Sequence, residues 1–219
     1  MYVAVEGVIG VGKTSLARLL QPSFDAALLL EVFEENPFLG NFYQDRARYA
    51  FQTQIFFLLS RYHQQRRSVP EALASRAALI SDYTFEKDAL FARINLSGDE
   101  LEMYFRVHEA LAEKIPPPDL LVYLRADTET LMRRIAARDR SYERSMERAY
   151  IASLGQAYDD FFLPKQGQGN ILIIDSDALD FVHNPADLAW VENRIRQALN
   201  LPPFQPELPI GGAIPQLGA

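Results

Sequence analysis

Apolar residues gather into five short blocks along the chain: Tyr2 to Val5, Leu28 to Phe33, Ala78 to Tyr83, Leu120 to Arg125 and Ile171 to Asp175. Runs of this length without a helical period read as strands covered on both faces. Between them the spacing becomes helical, over Thr14 to Leu20, Arg48 to Arg67, Ser97 to Lys114 and Thr128 to Phe162. In the second of these, Phe51, Ile55, Leu58, Leu59 and Tyr62 recur on one side. Strands alternating with helices predict an α/β fold with a five-stranded parallel sheet, helices on both faces, and ligands at the carboxyl ends of the strands. Ile115 to Asp119, with three prolines in succession, is a stiff connector into the fourth strand. One domain over residues 1–200 is expected. From Leu201 onward proline and glycine accumulate without periodicity, which predicts a loosely held tail over 201–219.

The connection between the first strand and the first helix is the most informative stretch. In Val5-Glu-Gly-Val-Ile-Gly-Val-Gly-Lys-Thr-Ser15 the spacing of Gly7, Gly12, Lys13 and Thr14 satisfies Gly-x-x-x-x-Gly-Lys-[Ser/Thr], with Gly10 between. Backbone N–H groups from Gly7 through Val11 to Ser15 wrap a triphosphate in such a loop, the lysine neutralises the outer phosphates and the hydroxyl holds Mg²⁺. The helix that follows aims its positive end at the same place. The expected ligands are ATP or GTP and Mg²⁺; the plainer alternative is a glycine turn with an exposed lysine.

Composition narrows the rest. A chain of 219 residues with 48% hydrophobic residues can fill one large core. It has no cysteine, so disulfides, thiol catalysis and cysteine-based zinc sites are excluded. His63, His108 and His183 lie far apart and read as structural. No apolar run approaches the ~20 residues of a membrane span, and the start lacks a signal-peptide pattern. No membrane partner and a cytoplasmic location are expected. The formal charge of −7 argues against nucleic-acid binding.

What accepts a phosphate is read from the residues after each strand. Glu31, Glu34 and Glu35 follow the second; they are either a solvated acidic loop or the source of a general base. A carboxylate is what a hydroxyl nucleophile needs, and this cluster would repel an acceptor already carrying phosphate, so a neutral alcohol is expected. Asp82 ends the third strand, where a carboxylate typically reaches Mg²⁺ directly or through water. It is not followed by Asp-x-x-Gly, and the chain lacks Asn-Lys-x-Asp, which disfavours a guanine switch. Gln54 and Arg61 are seven residues apart and share a helix face. Gln54 stands among Phe51, Ile55 and Phe57, an amide suited to a planar base. Arg61 reads either as a surface charge or as the partner of a buried carboxylate. Arg133, Arg134, Arg138, Arg140, Arg144 and Arg148 form either a solvated helix face or a lid over the transferring phosphoryl group.

Taken in order, Val5 to Ala17, Glu31 to Tyr43, Phe51 to Gln64, Asp82 to Ala92, Tyr123 to Glu143 and Ile174 to Leu188 resemble the deoxyribonucleoside kinase family, particularly its bacterial purine members. The resemblance implies a P-loop kinase fold, a homodimer built from helices, and transfer of the ATP γ-phosphate to a deoxynucleoside 5′-hydroxyl in nucleotide salvage. It implies Glu31 as general base, Gln54 on the base, Tyr43 and Glu143 on the sugar 3′-hydroxyl, and Arg61 with Asp88 as an ion pair lining the base pocket. Arg134, Arg138 and Arg140 match lid arginines, and Asp180 and Phe181 fall where the family folds a loop around the donor adenine. One departure is Tyr83, where many relatives carry an arginine near the 5′ region. Tyrosine brings no charge, so that role is either absent or taken by another residue such as Arg125. The competing readings are a nucleoside monophosphate kinase of thymidylate-kinase type and a non-catalytic ATP-binding regulator.

Overall fold

The computed structural model describes residues 1–32, 35–76, 78–167 and 169–204. Glu34, the predicted strand end at Phe33 and the tail from Gln205 onward lie outside the described residues.

Five parallel strands make one sheet: β1 (Tyr2–Gly7), β2 (Ala26–Leu29), β3 (Ala78–Ser81), β4 (Leu120–Arg125) and β5 (Ile171–Asp175), in the order β2-β3-β1-β4-β5. Strand β1 is central and buried along its whole length, with Val3 opposite Ile80 of β3 and Leu120 of β4. That is why its sequence is apolar without alternation: both faces are covered. Tyr2 and Ala4 join Leu29, Leu79 and Tyr83 in a smaller cluster closed by Val69, while Val3 and Val5 belong to the larger core with Leu16, Leu20, Leu131 and Ile135. Because β3 pairs on one side of β1 and β4 on the other, the loop leaving β1 opens at the point where the chain order reverses, the usual ligand crevice of such sheets.

The helices are α1 (Lys13–Phe24), α2 (Leu39–Gln44), α3 (Arg46–Ser75), α4 (Glu86–Asn95), α5 (Gly98–Ala112), α6 (Thr128–Arg138), α7 (Arg148–Phe162) and α8 (Pro185–Ala198). Their ends follow local chemistry. Asp45, Asp127 and Asn184 accept backbone N–H bonds at the starts of α3, α6 and α8.

Some predicted elements differ, and β3 ends at Ser81 where Tyr83 was expected. Strand β2 ends at Leu29 because the next residues find side-chain partners instead of a ladder: Gln64 Nε2 donates to the Leu30 carbonyl (2.9 Å), and the Glu31 N–H donates to Asp82 Oδ1 (2.8 Å). The helix expected over Thr128 to Phe162 is broken. Asp139 turns left-handed (φ 49°), and a 3-10 turn at Ser141–Glu143 carries Glu143 into the interior before α7 begins. Helices α2, α4 and α8 were not predicted.

Candidate active site

The glycine loop sits against α6. Gly10 has φ 88°, and a Cβ there would lie 2.7 Å from Ile135 Cγ1 and 3.0 Å from the Leu131 carbonyl, so α6 leaves no room for a side chain. Lys13 begins α1 and folds back, its ammonium donating to the carbonyls of Gly7 (2.7 Å) and Val8 (3.1 Å). Burial, helped by the charge of Lys87, pulls the Lys13 pKa down to about 8. Thr14 Oγ1 donates to Asp82 Oδ2 at 2.5 Å, so a hydroxyl and a carboxylate at the ends of two neighbouring connections meet beside the loop.

Glu31, Tyr43, Gln54, Arg61 and Glu143 line one cavity of about 100 Å³ that also reaches Lys13 and Thr14. Segments far apart in sequence therefore converge on the nucleotide loop. Burial pushes the Glu31 carboxyl up, but the Arg61 guanidinium and the Lys87 ammonium outweigh it and hold it well below the ordinary range. Arg61 donates from Nε and Nη2 to Glu31 Oε1, the former at 2.9 Å, and pairs through Nη1 with Asp88 Oδ1. Its guanidinium lies 4.7 Å from the centre of the Phe57 ring. Asp88 stands behind Arg61, fully buried. Gln54 Oε1 and Thr53 Oγ1 are buried with no hydrogen-bond partner among the described residues. Tyr43 is stacked on Tyr142 at 6.2 Å, and burial pushes its phenol up, Tyr150 and Glu143 adding to the effect.

Tyr83 and Arg125 are placed differently from expectation. Tyr83 is fully buried in the smaller core cluster, and its hydroxyl donates to Gln64 Oε1 at 2.6 Å, so it props the segment leading to Glu31 instead of lining the cavity. Arg125, at the carboxyl end of β4, is bound to Asp159 (2.9 Å) and Asp175 (3.1 Å) and is not among the residues lining the cavity.

The arginines after β4 divide into two groups. Arg138 grips Glu143 with Nε (3.2 Å to Oε2) and Nη2 (2.7 and 2.8 Å), and Arg140 Nη1 stands 3.7 Å from Glu143 Oε1; both arginines line the cavity that contains Glu31. Arg134 faces elsewhere. It donates to the carbonyls of Val11 (3.3 Å), Ser176 (2.7 Å) and Leu179 (3.3 Å) and to Ser176 Oγ (3.1 Å), tying the glycine loop to the segment after β5. In this form it is a brace, not a free lid charge. Between these segments runs an open groove of about 660 Å³ containing Gly12, Ser15, Arg134, Asp180 and Phe181. Phe181 is buried and closes on Gly12, whose Cβ would meet its ring at 3.0 Å.

Two residues escaped the sequence reading. Lys87 donates to Glu31 Oε2 at 2.5 Å inside the cavity. Its neighbour Asp88 was picked out, but a lysine at the start of a helix reads as a solvated charge. Glu6 is fully buried at the end of β1 and accepts from the Gly7 N–H (3.1 Å), the Thr84 N–H (2.6 Å) and hydroxyl (3.0 Å), and the Tyr158 hydroxyl (3.1 Å). Burial pushes its carboxyl up against these donors and the charges of Lys87 and Lys13. An acidic residue interrupting an apolar strand is the signal that marks it.

The family model for deoxynucleoside kinases matches residues 3–200. The chain belongs to the deoxynucleoside kinase family. A deoxyguanosine kinase of Bacillus subtilis is 32% identical over 201 residues, 90% of this chain and 97% of that protein. A deoxyadenosine kinase of Dictyostelium discoideum is 32% identical over 165 residues, 73% of this chain and 66% of that protein. The deoxyadenosine kinase from M. mycoides with bound dCTP superposes with a TM-score of 0.76 at 23% identity, covering 90% of this chain and 100% of that one. As a deoxynucleoside kinase with a five-stranded parallel sheet, this chain has the fold and the enzyme class its sequence implied. Among the described residues no helix is long and apolar enough to cross a membrane.

Proposed function

We propose that this kinase transfers the γ-phosphoryl group of ATP to the 5′-hydroxyl of a purine deoxynucleoside, giving the 5′-monophosphate. The observation that carries the reading is one cavity with the Glu31 carboxylate beside Lys13 and Thr14 and the partnerless Gln54 amide oxygen among its walls. A buried acceptor left unpaired costs about 1–3 kcal/mol, which the exocyclic amine or ring N–H of a base would recover. Gln54 and Thr53 then face the base, Phe57 and Arg61 flank it, and Tyr43 with Glu143 takes the sugar 3′-hydroxyl. The purine preference is supported by the relatives named deoxyguanosine and deoxyadenosine kinase.

Glu31 takes the 5′-hydroxyl proton as the oxygen attacks phosphorus. Lys13 leaves the loop carbonyls for the outer phosphates, and Arg138 and Arg140 close from the other side, where positive charge offsets that of the transferring group. The adjacent oxygens of Thr14 and Asp82 suit Mg²⁺, which takes few protein ligands and completes its shell with water and substrate phosphates. Among the described residues no group of three or more acidic, histidine or cysteine side chains is placed to hold a metal by itself, in keeping with that mode. When bound, the metal would supply charge neutralisation at the phosphates. The donor base lies in the groove by Asp180 and Phe181, with Arg134 bracing its floor. Leu59 and Leu73 on α3 and Met103 on α5 leave apolar surface exposed, which supports pairing of two copies through these helices. A catalytic domain over 1–200 with an appended tail, in the cytoplasm, completes the reading.

The test is a panel of the four deoxynucleosides, with ATP and with GTP, read by diphosphate release, and thymidine monophosphate as control. Purine deoxynucleosides with ATP are expected to give the fastest release. No acceleration by any deoxynucleoside, or acceleration by the monophosphate alone, overturns the assignment.

A further inference from the structure

A second lysine stands inside the acceptor cavity, and none of the roles above uses it. Lys87 lies in the first turn of α4 with its side chain only 7% exposed. Its ammonium is 2.5 Å from Glu31 Oε2 and 5.8 Å from the centre of the Phe91 ring, in the cavity that also contains Lys13 and Thr14. Among neighbouring charges it is the strongest influence on both Lys13 and Glu6, the residues that carry the glycine loop. The ammonium is therefore close to where a polyphosphate end must lie.

The oxygens of Glu31 are divided between two cations. Oε1 belongs to Arg61, which is fixed by two donors, by Asp88 behind it and by the Phe57 ring. Oε2 belongs to Lys87 through one ammonium on a flexible stem. An alcohol that gives its proton to Glu31 must reach one of these oxygens, and Oε2 is the one whose partner can move.

We propose that Lys87 is a catalytic residue: the incoming hydroxyl displaces its ammonium from Glu31 Oε2, and the ammonium moves onto the non-bridging oxygens of the phosphoryl group under attack. In that step the hydroxyl proton passes to Oε2 and the alcohol oxygen bonds to phosphorus. The bond from phosphorus to the bridging oxygen breaks, and its electron pair leaves with the nucleoside diphosphate. Lys87 keeps its three protons and changes only its partner. The inference rests on the reading of Glu31 as the base. A lysine that only neutralised Glu31 would have no further part once that carboxylate was removed.

The experiment uses the full chain as wild type, Glu31→Gln, Lys87→Met, Lys87→Arg and the double variant Glu31→Gln/Lys87→Met. Single-turnover rates with ATP and the best deoxynucleoside are measured, together with binding of ADP plus aluminium fluoride in the presence of that deoxynucleoside. Lys87→Met is expected to lower the rate about 100-fold with the deoxynucleoside KM little changed, and to weaken binding of the transition-state mimic by a similar factor. Lys87→Arg is expected to restore at least about tenfold of the lost rate. In the Glu31→Gln background, Lys87→Met is expected to cost a further tenfold or more. No further loss there, unchanged binding of the mimic, or a Lys87→Met rate within about threefold of wild type overturns the proposal. If Lys87→Met does not fold, the double variant, which removes both charges of the pair, is compared with Glu31→Gln and decides the matter. A wild type that phosphorylates no deoxynucleoside refutes the proposed function and this inference with it. An active wild type, a crippled Glu31→Gln and a near-normal Lys87→Met refute the role of Lys87 alone.

Discussion

Replacing Arg134 by methionine separates a brace from a lid charge. The guanidinium donates to the carbonyls of Val11, Ser176 and Leu179 and to the Ser176 hydroxyl; Val11 and Ser176 are buried, and the shortest bond is the one to the Ser176 carbonyl at 2.7 Å. Methionine keeps the stem and most of the packing but takes away the donor to the Val11 carbonyl, whereas the Ser176 carbonyl still accepts from the Leu179 N–H at 3.3 Å. An unpaired buried acceptor costs about 1–3 kcal/mol, so the loss is about 2 kcal/mol. For a domain of this size 1 kcal/mol moves the midpoint by about 2–4 °C, so the thermal midpoint should fall by about 4–8 °C. Freed from the segment after β5, the glycine loop should also bind the donor less well, raising the ATP KM about tenfold, while kcat at saturating ATP falls less than threefold. Calorimetry and initial rates with ATP varied at saturating deoxynucleoside read both effects. A variant with an unchanged midpoint that loses kcat alone would show that Arg134 acts on the reacting phosphate and that its bonds to the two loops contribute nothing.

Other substitutions probe neighbouring features. Glu31→Gln should lower turnover by at least about 100-fold with ATP affinity nearly intact; unchanged turnover removes Glu31 from the mechanism. Gln54→Leu should raise the deoxynucleoside KM about tenfold or more without lowering the unfolding midpoint, since it deletes a buried acceptor that has no partner among the described residues; a large midpoint drop contradicts this. Gly10→Ala combines a φ of 88° with a Cβ 2.7 Å from Ile135, so ATP affinity measured by titration should drop about tenfold or more, and wild-type affinity would mean that α6 yields. Lys13 titrates near 8 in the folded chain against 10.5 for the free side chain. Between those values the unfolded chain holds more protons, so the contribution of Lys13 to stability rises with pH in that window. Because a polyphosphate favours the ammonium, ATP binding at pH 8 should take up about half a proton, seen by calorimetry in buffers of different ionisation enthalpy. No buffer dependence there would place the Lys13 pKa far from 8.

Much of the scaffold was legible because the strands are buried on both faces. Strands β4 and β5 begin and end where the apolar blocks do, and of the apolar positions on α3 Leu58 and Tyr62 are buried and Phe51 and Ile55 half-buried against the core, whereas Leu59 is exposed. The glycine spacing was equally plain. What resisted reading is set by tertiary partners. The end of β2 depends on Gln64 and Asp82, which are distant in sequence, and the break after Arg138 depends on Glu143 finding a guanidinium inside. Short helices such as α2, six residues long, carry too few turns to show a period. Tyr83 and Lys87 were misjudged or missed for the same reason: neither a phenol bound to Gln64 nor an ammonium bound to Glu31 announces itself along a single strand of text.

Glu6 gives the molecule a ruler. One carboxylate holds the first peptide of the glycine loop, the peptide that leads into α4, and a tyrosine of α7, the helix that follows the lid. The spacing of the glycine loop, the entry to α4 and α7 is thereby tied to a single side chain. Redesigning the pocket for a different base falls to α3 and for a bulkier sugar to Tyr43 and Glu143, whereas a change at residue 6 would shift the glycine loop, the entry to α4 and α7 together.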